Sequence, residues 1–210
     1  MKDGEFVALE RAAGPVSRET FERLKAFEAL FAKWAARINL AAPSTLSEFW
    51  ERHILDSAQL LRLAPEARRW LDLGSGGGFP GIVLAIMLRE RPDAAIELVE
   101  SNQKKVAFLR NAIAQSGAPG KAHAQRIEQF AQAARPVDVV TARALAPLDA
   151  LLGLARPWLE TGARGLFHKG REYRREVEES RDGWQFDLVE HRSVIDAASV
   201  ILEISGLRKR

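Results

Sequence analysis

From Phe21 onward, Leu24, Phe27, Phe31, Trp34 and Ile38 recur at three- and four-residue steps, one face of an amphipathic helix. A second stripe runs through Leu46, Phe49, Trp50, His53, Ile54, Leu60 and Leu61. Thr45-Leu46-Ser47-Glu48 opens it with capping-box spacing, and Pro65 marks its end. Residues 1–66 therefore read as a helical cap and 67–210 as a second unit.

After Trp70 the pattern becomes short apolar runs separated by helical stretches, as in strands alternating with helices around a mostly parallel sheet. The expected strands are Trp70 to Leu73, Ile96 to Val99, Ala122 to Gln125, Val137 to Thr141 and Ala163 to His168. The expected helices are Ile82 to Arg89, Gln103 to Gln115, Ile127 to Ala134, Leu148 to Leu159 and Tyr173 to Arg181. Trp184 to His191 and Val200 to Ile204 follow with no helix between them, so they should pair as an antiparallel hairpin.

The chemistry concentrates at Asp72-Leu73-Gly74-Ser75-Gly76-Gly77-Gly78-Phe79-Pro80-Gly81, where a strand hands over to a helix. Glycines Gly74, Gly76 and Gly78 supply positive φ and let a ligand approach the main chain. The helix that Pro80 begins offers free N–H groups to an anion such as a ligand carboxylate. Gly76-x-Gly78-x-x-Gly81 alone fits a nicotinamide cofactor equally well. With Asp72 at its front, the run resembles the first motif of class I methyltransferases, whose leading carboxylate orders the turn and can attract a sulfonium or amino group. That resemblance, with the terminal hairpin, implies the Rossmann-like α/β class I fold and S-adenosylmethionine as cofactor.

Further candidates lie at later strand ends. Glu100 stands about 20 residues beyond the turn, where a carboxylate can accept both ribose hydroxyls. Ile127 and Glu128 can frame an adenine, although an acid at a helix start also serves as a cap. Arg143 arrives at the sheet's carboxyl edge, able to hold a carboxylate, a phosphate or a flipped base. Beyond the fifth strand, Lys169 and Arg171 can touch RNA phosphates, whereas Lys104, Lys105 and Arg110 read as a solvated cationic face. His53 and Asp56 are three apart on one helix. They read as a packed histidine held by a nearby carboxylate, or as part of a cap over the cofactor.

Composition narrows the chemistry. The 210 residues contain no cysteine, which removes disulfides, thiolate nucleophiles and cysteine-ligated metal, and no metal is expected in the site. The net charge of +3 permits a nucleic-acid partner without requiring one. The acidic start Met1-Lys2-Asp3-Gly4-Glu5 and the interrupted apolar runs lead to the expectation of a soluble, cytoplasmic protein. The fourth strand end lacks an Asn-Pro-Pro-Tyr-like signature, and carbon-5 pyrimidine methylation usually needs a thiolate. A nucleophile such as guanine N7, whose lone pair already lies in the base plane, is favoured.

Arg52-His53-Ile54-Leu55-Asp56-Ser57, Leu71 to Gly81, Arg126-Ile127-Glu128, Thr141-Ala142-Arg143-Ala144 and Lys169-Gly170 stand in an order and spacing similar to the ribosomal RNA small-subunit methyltransferase G family, also called glucose-inhibited division protein B. The resemblance runs over most of the chain. It implies N7 methylation of one guanine in the decoding-region loop of 16S ribosomal RNA, on the small ribosomal subunit. It implies cofactor contacts at Gly74, Phe79, Ile127, Glu128 and Arg143, with Phe79 read as packing. Other readings are a nicotinamide-dependent oxidoreductase and a non-catalytic RNA-binding assembly factor. A monomer is expected.

Overall fold

Strand β1 (Arg69–Leu73) is the third strand of a seven-stranded sheet in a computed structural model that describes residues 2–40 (side chains from residue 4) and 48–210. Its flanking partners are β2 (Ala95–Glu100) and β4 (Val139–Arg143), both parallel to it. β3 (Gly120–Ala124) and β5 (Arg164–Lys169) extend the parallel part on either side. β6 (Trp184–Arg192) and β7 (Val200–Lys209) form the antiparallel hairpin, and β7 pairs with β5, giving the order β3-β2-β1-β4-β5-β7-β6. The expected strands are all present, with no end shifted by more than five residues.

Alternation along each strand divides two apolar layers. Trp70, Ile96, Leu98 and Leu166 face one layer, and Leu71, Val99, Val140 and Phe167 face the other. The first layer is covered by α1 (Lys2–Ala13), α2 (Arg18–Ala35), α5 (Gly81–Met87) and α6 (Gln103–Ser116). The second is covered by α7 (Ile127–Ala131), α8 (Leu148–Leu159) and α9 (Tyr173–Ser180). Between the two groups in the chain, a π-helical segment Trp50–Leu55 runs into α3 (Asp56–Ala58) and α4 (Leu60–Leu63). The cap shares one core with the sheet: Phe27 and Phe31 of α2 contact Phe79 at ring distances of 5.7 and 5.4 Å, and also Phe108 of α6. Burying each such ring contributes roughly 1.5–3 kcal/mol.

Local signals explain the boundaries. Ser17 Oγ accepts the Thr20 N–H to open α2, and Asn102 Oδ1 accepts from Lys104 and Lys105 N–H to open α6, which Gly117 closes at φ 60°. The second cap helix differs from the three- and four-residue periodicity expected of it, because its first turns are wound as a π-helix, a rare geometry that concentrates at functional sites. Thr45, Leu46 and Ser47 of the expected capping box lie outside the described residues. Helix α1, which has no counterpart among the expected elements, is held by Phe6 edge-on to Phe21 at 5.4 Å. Among the described residues no helix is long and apolar enough to cross a membrane.

Candidate active site

The loop leaving β1 is built around a buried acid. Asp72 is 1% exposed; its Oδ1 accepts the Thr141 hydroxyl at 2.9 Å and its Oδ2 the Gly81 N–H at 3.3 Å, while its own carbonyl accepts from Ser75 Oγ. Burial pushes its carboxyl up to about 6, against the pull of those hydrogen bonds. It ties the turn to α5 and β4, and it is not part of the cleft wall. The same bond engages the first N–H of α5, which Gly81 donates to the protein's own carboxylate.

The glycines divide by what surrounds them. A Cβ on Gly76, φ +53°, meets only Gly74 O at 3.6 Å and projects into open space, and the Gly76 N–H donates to Glu100 Oε2 at 3.0 Å. Gly74, φ +66°, also lines the cleft, with Leu145 Cδ1 2.5 Å from where its Cβ would stand. Gly78 is different: at φ +88° its Cβ would collide with Ile82 Cγ1 at 2.7 Å, so this glycine lets α5 pack and does not face the cleft.

One cleft of about 1780 Å³ runs along the sheet's carboxyl edge, and the strand ends fill its walls. Gly74, Gly76 and Phe79 stand over β1, Glu100 over β2, Ile127 and Glu128 beyond β3, Arg143 at the end of β4, Lys169 at the end of β5 and Arg171 beyond it. Glu100 spends one lone pair of Oε2 on Gly76 and one of Oε1 on the Asn102 N–H at 2.7 Å, leaving acceptor capacity on both oxygens. Beside a glycine whose missing side chain leaves open space, that set fits an adenosine ribose lying against bare main chain.

Past Phe79 the cleft meets a charged cluster whose members are distant in sequence. Phe79 stacks on His53 with ring centres 4.6 Å apart at 21°, and the Arg143 guanidinium lies 5.1 Å over the same ring. Arg143 donates through Nη1 to the Arg52 carbonyl at 2.7 Å and to Asp56 Oδ2 at 3.4 Å, and through Nη2 to His53 Nδ1 at 2.9 Å. The reading of His53 as packed holds, but its Nδ1 is satisfied by a guanidinium where a carboxylate was expected. Burial, then the Arg143 charge, holds His53 down to about 4. His168, which the sequence places in the run His168-Lys169-Gly170-Arg171 that could touch RNA phosphates, stands 2.9 Å from the Asp56 carbonyl through Nε2, and burial lowers its titration too.

Lys169 needs correction. It reaches the cleft, but it is 9% exposed and its Nζ donates to Glu176 Oε2 at 2.6 Å and to the Ala146 carbonyl at 2.7 Å. Its charge is consumed within the fold, whereas Arg171 in the next turn is exposed. The residues that sequence reading left without a role, Thr141 and Leu145, act by contacts across long chain separations and carry no linear signal.

The family model for rRNA small subunit methyltransferase G matches residues 20–204. The chain is 62% identical over 204 residues to the "Ribosomal RNA small subunit methyltransferase G" of a Chelativorans species (strain BNC1), covering 97% of each chain. It is 59% identical over 208 residues to the protein of that name in Brucella canis, covering 99% of this chain and 98% of that one. Among solved structures, the O-methyltransferase TomG from Streptomyces achromogenes, in complex with S-adenosylmethionine, superposes with a TM-score of 0.58 at 17% identity, over 88% of this chain and 90% of that one. At that identity it speaks for the fold, which is the class I methyltransferase architecture. On the family match and the near full-length relatives together, this chain belongs to the rRNA small subunit methyltransferase G family.

Proposed function

We propose that the protein transfers a methyl group from S-adenosylmethionine to N7 of one guanine in the decoding-region loop of 16S ribosomal RNA. The observation that carries the reading is Gly76: its missing side chain opens into the cleft and its N–H is fixed by Glu100, at the end of the neighbouring strand. Glu100 holds the ribose hydroxyls, Ile127 and Glu128 frame the adenine, and Gly74 and Gly76 let the ligand lie against the protein's main chain. Bound there, S-adenosylmethionine supplies an electrophilic methyl group on sulfur. The cleft, at about 1780 Å³, exceeds the roughly 300–1,000 Å³ of a single small-molecule pocket, which leaves space for a target base beyond the cofactor.

Guanine N7 attacks with a lone pair and sheds no proton, so the residues at hand need only align and exclude water. Alignment alone can supply on the order of 7–11 kcal/mol. His53, with Nδ1 engaged by Arg143, is unsuited to take a proton, which accords with a reaction that needs no general base. Arg143 stands between the two halves of the cleft and is read as the residue that fixes their separation; the cap of residues 1–66 supports it through Arg52, His53 and Asp56. The protein is read as a cytoplasmic monomer.

Tritiated-methyl transfer to small ribosomal subunits lacking the modification tests the reading, with the position mapped by chain cleavage at N7-methylguanine. Incorporation at a single guanine is expected. A protein that binds the subunit and transfers nothing is an assembly factor, and thermal stabilisation by NAD in place of S-adenosylhomocysteine would return the oxidoreductase reading.

A further inference from the structure

Gln59, at the junction of α3 and α4, is 4% exposed and uses both ends of its amide. Nε2 donates to Asp56 Oδ1 at 2.8 Å, to the Asp56 carbonyl at 3.0 Å and to Ser193 Oγ at 3.3 Å, and Oε1 accepts the Val194 N–H at 3.1 Å. Ser193 and Val194 begin the loop between β6 and β7, more than a hundred residues away in the chain. A buried amide satisfied in this way fixes its partners, because leaving them unpaired away from water is costly.

The loop is internally ordered. Ser193 Oγ accepts from the Ile195 and Asp196 N–H groups at 3.1 and 3.2 Å, and the Asp196 carboxylate accepts from the Ala198 N–H and the Ser199 hydroxyl. Val200 opens β7 opposite Lys169, the last residue of β5, so the loop stands at the same edge of the sheet as the glycine turn. Ile195, Asp196, Ala197 and Ser199 line the cleft, beyond Arg143 from the glycine turn in strand order. Arg52 and Arg171 also line the cleft, and Val194 near the start of the loop is 67% exposed. Hydrogen bonds from the Ala198 N–H and the Ser199 hydroxyl hold the Asp196 carboxyl below its usual range, and the charges of Arg52 and Arg171 add to that pull.

We propose that Gln59 is the positioning residue that holds the β6–β7 loop, residues 193–199, as the wall of the cleft against which the RNA target docks. The inference rests on the RNA methyltransferase reading above. Gln59 itself is not in the cleft wall and touches neither the glycine turn nor Glu100. Through Asp56 it joins the cluster that orients Arg143, so one amide sets the RNA-side wall in register with the residue between the two halves.

The test pairs two variants from opposite sides of the latch, Gln59→Leu and Ser193→Ala, with Ser193→Thr, which keeps the hydroxyl. Three quantities are measured: affinity for unmethylated small subunits by filter binding without cofactor, affinity for S-adenosylhomocysteine by calorimetry, and hydrogen exchange at the Val194 amide. Losing the latch should weaken subunit binding about five- to tenfold and speed exchange at Val194, with S-adenosylhomocysteine affinity kept within about twofold. Ser193→Thr should stay at wild-type values. Unchanged subunit affinity in both latch variants overturns the proposal, as does an S-adenosylhomocysteine affinity that falls by the same factor, which would make Gln59 a general support of the fold. A wild-type protein that binds S-adenosylhomocysteine but no unmethylated subunit overturns the RNA reading itself, and that result precedes any variant.

Discussion

Nη2 of Arg143 stands 2.9 Å from Nδ1 of His53, and a guanidinium has only donors to offer, so that ring nitrogen bears a lone pair and the imidazole is neutral. His53 and Phe79 then present a flat, uncharged stack beneath a fixed cation at the centre of the cleft.

Acid should dismantle this arrangement. The ordinary histidine value is 6.5, and His53 is held down to about 4. Between those values the unfolded chain binds a proton that the folded one refuses, so stability present above the upper value is lost as pH falls through the lower. Asp72 opposes the trend, since a carboxyl raised to about 6 makes the folded state the better proton acceptor from there down to the ordinary 3.8. In calorimetry from about pH 7.5 to about pH 5, His53→Gln, which keeps an acceptor for Arg143 and cannot titrate, should lose less Tm than wild type, by about 2–4 °C per kcal/mol involved. Parallel curves for the two proteins refute the role given to His53.

The glycine turn separates binding from folding. Gly76→Ala places a methyl in open cleft at a left-handed φ that costs roughly 1–2 kcal/mol, so the protein should fold with a modestly lowered Tm. S-adenosylhomocysteine affinity should fall at least about tenfold, because the main chain is then shielded. Gly78→Ala meets Ile82 at 2.7 Å as well as the same backbone penalty, and it should be the more destabilised variant in urea. If Gly76→Ala binds like wild type, the ligand lies elsewhere.

These two glycines also show how far a linear reading goes. Strand, turn and helix are legible because apolar runs, positive-φ residues and caps are local signals, and Glu100 follows once β2 is placed beside β1. What Gly78 packs against is not local, nor is the partner of Arg143, since Asp56 is 87 positions away. Helix α1 escapes for a related reason: Phe6, Leu9 and Ala12 make too short a stripe, and contact with the π-helical segment, α3 and α4 helps to hold it. The winding of Trp50–Leu55 has no periodic signature at all.

Asp72 should act as a structural anchor. Asp72→Ala removes the buried acceptor of the Gly81 N–H and the Thr141 hydroxyl, at about 1–3 kcal/mol for each group left unpaired. Asp72→Asn preserves the shape and one acceptor, and should fall between alanine and wild type in urea denaturation. The turn it holds is shared with the ligand, so S-adenosylhomocysteine affinity should fall in the same order. Full affinity in Asp72→Ala would show that the turn keeps its form unaided.

Lys169 and Arg171 are two residues apart and should behave oppositely. Lys169 is ion-paired to Glu176, and removing one partner of a buried pair costs about 3–5 kcal/mol because the other charge is left behind. Lys169→Met should therefore lower Tm strongly. It should leave unchanged the slope of log Kd against log salt for subunit binding, since a charge already consumed inside the fold releases no counterion from RNA. Arg171 is exposed at the cleft mouth, and Arg171→Ala should keep the Tm while reducing that slope by about 0.7–0.9, the value of one phosphate contact. Measuring the slope, not the affinity at one salt concentration, is what separates the two, because a partly unfolded Lys169→Met would also bind weakly. A reduced slope for Lys169→Met with an intact Tm would mean that the Glu176 pair opens on contact with RNA and that the lysine reaches the backbone after all.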